Sequence, residues 1–124
     1  MRLAAILLAS FLMAGSALAQ HSHGSKGPNG GILEDVAGVH AELIASGNTV
    51  TINILNEENK PLATAGYTAS ALVVSGADRE TLKLEPSGQN ALKGEAKKPI
   101  AKGATISVTI KTPGGKSGQA RYKL

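Results

Sequence analysis

From Thr49 to Asn56, apolar Val50, Ile52 and Ile54 alternate with polar Thr51 and Asn53. A period of two buries one face of an extended strand and wets the other. Ala104 to Thr112 repeats the pattern with Ile106, Val108 and Ile110. Val39 to Ala45 precedes the first of these segments across Ser46-Gly47-Asn48, whose Gly and Asn accept positive φ, so the two are expected to form a hairpin. In that hairpin His40 and Glu42 share one strand face, and Val39, Ala41 and Leu43 the other. Further strands are expected at Ile32 to Val36, Tyr67 to Val74, Glu80 to Glu85, Leu92 to Ala96 and Gln119 to Lys123. The intervening turns are rich in Gly, Pro, Asn and Asp, and no twelve-residue window beyond the N-terminal region sustains a helical period. This spacing predicts an all-β fold: a single antiparallel, immunoglobulin-like β-sandwich of about seven to eight short strands.

The N-terminus departs from this pattern. Arg2 is followed by an apolar run from Leu3 to Met13 and by Ala17-Leu18-Ala19, small residues of the kind a signal peptidase reads. Residues 1–19 are therefore expected to be a signal peptide cleaved before Gln20, which makes the product periplasmic. The run is shorter than the roughly 20 residues needed to span a bilayer, so no membrane insertion is expected after cleavage. Gln20 to Gly30 holds Gly, Ser, His and Pro with almost no apolar side chain, so burial cannot offset the entropy of ordering it. Residues 20–30 are expected to be a flexible His- and Gly-rich tail, and residues 31–124 the sandwich.

Charge divides the chain. From Gln20 to Lys60 two lysines stand against five acidic residues, a net −3, and from Pro61 to Leu124 ten basic residues face four acidic ones, a net +6. All three histidines lie in the acidic part, which favours a cation there and an anionic partner at the other end. The tyrosines are only Tyr67 and Tyr122, and the basic half has no arginine cluster, which argues against nucleic acid.

Candidate chemistry narrows quickly. Gly115-Lys116-Ser117 lacks the glycine a phosphate-binding loop needs five residues earlier, where Ile110 stands, and strand sequence follows instead of a helix. There is no Cys, no spacing argues for a Ser–His pair, and Glu34-Asp35 and Glu57-Glu58 are adjacent pairs whose side chains diverge in extended chain. No enzyme is expected. His21 and His23 flank one serine directly behind the expected new N-terminus, and imidazole suits zinc, copper(II), nickel and cobalt. His40 and Glu42 can both reach a cation above their shared strand face, with a third ligand drawn from the tail or a neighbouring strand. The candidate metal ligands are therefore His21, His23, His40 and Glu42, with no cofactor required for folding.

Gly27-Pro28-Asn29-Gly30-Gly31, the following strand, His40-Ala41-Glu42-Leu43, the loop Asn59-Lys60-Pro61-Leu62 and the turn Leu92-Lys93-Gly94 carry a resemblance. The chain resembles small exported proteobacterial proteins and the β-sandwich N-terminal extension of periplasmic adaptor subunits of heavy-metal efflux pumps. That resemblance implies a periplasmic role in handling transition-metal cations, by binding them or by docking on an efflux adaptor or another envelope protein. It implies Gly30-Gly31 as a structural turn and His40 and Glu42 as ligand candidates. The extensions often carry His and Phe after a proline in a late loop, whereas here Ile100 and Ala101 follow Pro99. The alternative is a non-metal interaction module that docks on a larger periplasmic partner through a sheet edge or its basic half.

Overall fold

The computed structural model describes residues 24–124, so the expected signal peptide, His21 and His23 lie outside the described residues. Nine strands follow in order: β1 Ser25–Lys26, β2 Ile32–Val36, β3 Val39–Ser46, β4 Thr49–Leu55, β5 Thr68–Ser75, β6 Asp78–Ser87, β7 Ala91–Glu95, β8 Thr105–Lys111 and β9 Ser117–Lys123. No helix is present among the described residues, and none is long and apolar enough to cross a membrane. The all-β class is as the alternation predicts, and so is the β3–β4 hairpin, in which Ser46 pairs with Thr49 and the loop narrows to Gly47-Asn48.

The pairing is antiparallel throughout and forms one continuous sheet in the order β1-β2-β3-β4-β7-β6-β5-β8-β9. Two separate immunoglobulin-like sheets are therefore not what the ladders show. The sheet instead curls so that its halves face each other, and β6 makes the join. Its residues Asp78 to Leu84 pair with β5, while Glu85 to Ser87 pair with β7. Pro86 sits where β6 has left β5 and has a strand on one side only, which is where a residue without an N–H is tolerated in a sheet.

Inward rows from both halves meet in a single core: Val39, Ala41 and Leu43 of β3, Val50, Ile52 and Ile54 of β4, and Leu92 of β7 face Ala71, Leu82, Leu84, Ile106, Val108, Ile110 and Tyr122. Full burial of an aliphatic side chain contributes about 1.5–3 kcal/mol, so these rows supply the main driving force for the curl. Two contacts bring the sheet's ends together. The Tyr122 hydroxyl of β9 donates to the Ala41 carbonyl of β3 at 2.8 Å. Gly118 of β9 lies so close to the β2–β3 turn that a Cβ there would stand 2.6 Å from the Ala37 nitrogen.

Of the tail expected over residues 20–30, the part from Gly24 onward is described and lies against β2. Ser25 and Lys26 pair with Leu33 and Ile32, and Gly27 is buried. The physical reason lies on β3.

Candidate functional site

On the outward face of β3 two adjacent rows carry the predicted residues. Leu33, Glu42 and Asn53 lie side by side across β2, β3 and β4, and Asp35, His40 and Leu55 form the next row. His40 and Glu42 thus share a face, as their spacing requires. Their surroundings differ.

Glu42 is 0% exposed. The turn from Gly27 to Gly31, closed by Gly27 N–H donating to the Gly31 carbonyl at 2.8 Å and Gly30 N–H to the Gly27 carbonyl at 3.1 Å, folds over it. Asn29 N–H donates to Oε2 at 2.8 Å, Asn29 Nδ2 to Oε1 at 2.7 Å, and Gly31 N–H to Oε2 at 2.9 Å. A Cβ at Gly27 would overlap the carboxylate itself, so the close approach requires glycine. Among the described residues no basic side chain pairs with Glu42. Its charge is met by oriented N–H groups, the arrangement that makes charge-assisted hydrogen bonds strong. This clamp orders β1 without any apolar side chain. It also corrects the ligand expectation, because a carboxylate whose two oxygens are covered and hydrogen-bonded inside a turn is not available to a cation above the face.

His40 is brought instead to Asp35 and Asn59. Its Nε2 lies 2.9 Å from Asp35 Oδ1, with the His side chain 22% and the Asp side chain 85% exposed. Its Nδ1 lies 2.8 Å from Asn59 Oδ1. Asn59 is held in place by its own loop: Asn56 Oδ1 accepts from the Glu58 and Lys60 amides at 2.9 and 3.0 Å, and Asn59 N–H donates to the Asn56 carbonyl at 2.9 Å. Asn59 has φ of 60°, a left-handed conformation that asparagine adopts more readily than most residues. Asp35, Gly38, Val39, His40 and Glu57 line a shallow open depression at this end of the face.

The ring's chemistry follows from its two neighbours. Asn59 Oδ1 is an acceptor, so Nδ1 carries a proton and donates to it. In the neutral ring Nε2 then holds a lone pair, and it faces a carboxylate oxygen 2.9 Å away. Two electron-pair donors at that distance need a positive species between them, either a proton or a metal ion. The carbonyl that fixes Nδ1–H is the kind of outer partner that orients a metal-ligating histidine.

Among the described residues no group of three His, Asp or Glu side chains could hold a metal ion, so Asp35 and His40 stand as a pair. Buried Tyr122, on the other side of the sheet, has its phenol pushed well above the ordinary tyrosine value, chiefly by burial and secondly by the nearby charge of Glu34. Sequence reasoning missed Asp35 and Asn59 as site residues. No family model, no curated protein and no solved structure matches the chain.

Proposed function

We propose that the protein is an exported, periplasmic binder of divalent transition-metal cations, accessory to metal efflux or tolerance, and that His40 and Asp35 form the fixed part of its site. The observation that carries this reading is the 2.9 Å approach of His40 Nε2 to Asp35 Oδ1, with Nδ1 tied to Asn59. Ligand bonds of about 2.0–2.2 Å place a nitrogen and an oxygen about 2.9 Å apart at a right angle and about 3.4 Å apart at the tetrahedral angle. The pair as it stands suits the right-angled sets of copper(II) and nickel(II), and exposed Asp35 is free to open for zinc.

Two ligands bind weakly, so the third is drawn from His23 or His21. Chain connectivity supports this. Ser25 pairs with Leu33, and Gly24 lies against Leu33 and Glu34, the residues just before Asp35. The Cα of His23 is one peptide away, about 3.8 Å from that of Gly24. A ligand set that must order chain outside the sheet pays an entropic cost, so affinity should be on the order of micromolar. The fold should survive a chelator, since the core is complete without metal.

The test is a two-dimensional NMR titration with Ni²⁺ and Zn²⁺. Saturable broadening or shifts confined to Asp35, His40, Asn59 and the histidines before Gly24 support the reading, and an unchanged His40 ring overturns it. A second reading, a module that docks on a larger envelope partner, draws on charge. Arg79, Lys83, Lys111, Arg121 and Lys123 are exposed on β6, β8 and β9, where the acidic residues are Asp78, Glu80 and Glu85. A pull-down that fails equally with charge-reversed β9 would remove that support.

A further inference from the structure

The outward face of the half-sheet β6-β5-β8-β9 is a second surface with its own chemistry. The ladders fix its rows. Arg79 lies beside Val74, Thr105 and Lys123, Thr81 beside Leu72, Ser107 and Arg121, and Lys83 beside Ser70, Thr109 and Gln119. The alternate positions of the same strands, among them Ala71, Leu82, Val108 and Ala120, are in the core, so these rows point outward. Long cationic side chains stand on the two flanking strands of this half: Arg79 and Lys83 on β6, Arg121 and Lys123 on β9, all exposed. Between them Ser70, Leu72, Val74, Thr105 and Ser107 are half-buried. Strand spacing of about 4.8 Å puts β6 and β9 about 14 Å apart. The cations therefore flank a lower, hydroxyl-bearing strip that runs along β5 and β8.

Charge on this face is of one sign. Lys83 pairs with Glu85 at 3.5 Å, while Arg79, Lys111, Arg121 and Lys123 make no ion pair among the described residues. Asp78 and Glu80 do not offset them here, because they fall on the alternate positions of β6, in register with Ser75 and Val73. What the face lacks narrows its partner. Tyr122 of β9 is buried, so the four strands offer no exposed ring on which a base could stack. Half-buried Leu72 and Val74 are its apolar side chains, which leaves it without the large apolar anchors that hold a protein partner or enter an acyl layer. Serine and threonine hydroxyls both donate and accept, and the guanidinium forks of Arg79 and Arg121 match a carboxylate. Hydroxyls between cations complement a polymer that is itself rich in hydroxyls and carries carboxylates at intervals.

We propose that this face binds an acidic polysaccharide, a polymer of uronic acids laid along the strands with its carboxylates on Arg79, Arg121 and Lys123 and its hydroxyls on Ser70 and Ser107. The surface is independent of His40, so its failure would leave the metal reading untouched. The test is an NMR titration of the chain from Gln20 onward with oligogalacturonate. Saturable shifts should map to the outward rows of β5, β6, β8 and β9, and affinity should fall about tenfold between about 50 and 300 mM salt. Arg121→Glu/Lys123→Glu, exposed on an edge strand, should unfold at the parent's temperature and lose binding about tenfold or more. Arg79→Glu, on the opposite flank, should lose about threefold. Lys97→Glu/Lys102→Glu makes the same change of charge on the loop after β7 and should lose less than about threefold. Ser70→Ala/Ser107→Ala should weaken the saccharide about threefold and leave binding of poly-L-glutamate unchanged. Shifts that map elsewhere, equal losses in the two charge-reversed pairs, or an unaffected hydroxyl variant would each overturn the proposal. So would poly-L-glutamate or phosphatidylglycerol vesicles that bind as tightly as the saccharide at equal anion concentration.

Discussion

Glu42 and His40 sit two residues apart on one face of one strand, and the fold puts them to opposite uses. Around Glu42 a glycine- and asparagine-bearing turn supplies three N–H donors and excludes water, so the carboxylate is a structural bolt. Around His40 two side-chain oxygens stand at hydrogen-bond distance and the ring keeps an exposed edge, so of the two residues it is the one on which the proposed metal site rests. The difference teaches that residue type and strand face do not select a ligand. What covers the residue does.

The largest effect should come from unbolting the turn. Glu42→Ala leaves the Asn29 and Gly31 amides without their acceptor and should cost about 2–3 kcal/mol, lowering Tm by roughly 10 °C or more in calorimetry. Amide exchange at Asn29 and Gly31 should accelerate at the same time. A change below about 0.5 kcal/mol would erase the distinction between the two residues.

Next comes Tyr122, another buried polar anchor, which ties β9 to β3. Tyr122→Phe should cost about 1–2 kcal/mol at neutral pH, from the lost hydrogen bond to the Ala41 carbonyl. The folded phenol holds its proton more tightly than the unfolded one. Its stabilising contribution is therefore fully present below about pH 10, the unfolded tyrosine value, and is lost as the pH rises from there towards the folded value. Urea midpoints measured from pH 8 to 11 should fall less steeply at the alkaline end in Tyr122→Phe than in the parent.

Asn59 separates ring orientation from backbone geometry. Asn59→Ala should cost about 1 kcal/mol because alanine tolerates the positive φ poorly. Asn59→Gly removes the same Oδ1 at little backbone cost, so its stability should stay within about 0.5 kcal/mol of the parent. Both variants should weaken metal binding several-fold, read by titration calorimetry beside thermal unfolding, since both lose the acceptor that fixes Nδ1–H. Equal metal affinity in parent and Asn59→Gly would show that the asparagine is only a turn residue. His40→Ala should also have a small stability effect, on the order of 0.5–1 kcal/mol, because its partner Asp35 is 85% exposed and their ion pair is screened by solvent.

Most strands were legible because alternation is a local signal. The Val50, Ile52, Ile54 and Ile106, Val108, Ile110 triads faced the core as their period demands. The residues Ile32 to Val36 match β2 end to end. β1 was not legible, because Ser25 and Lys26 carry no apolar side chain and owe their order to bonds between Glu42 and residues 11 and 13 positions earlier. The continuous sheet was hidden by Pro86, which reads as the end of a strand but here marks the point where β6 exchanges β5 for β7. The Asp35–His40 pair was within reach of hairpin arithmetic, since a two-residue Ala37-Gly38 turn pairing Val36 with Val39 sets Asp35 opposite His40. Asn59, 19 residues from His40, offered only its place in a turn.

The measurement that bears most directly on the His40–Asp35 pair is isothermal titration of the chain from Gln20 onward with Zn²⁺, Cu²⁺ and Ni²⁺ at neutral pH. It should be run beside His40→Ala, a variant with His21, His23 and His40 all changed to Ala, and Glu42→Gln. Saturable binding in the parent that survives in Glu42→Gln, weakens in His40→Ala and disappears in the triple variant is the predicted result. Identical heats for the parent and the triple variant would contradict it and leave His40 as a surface ion pair with Asp35.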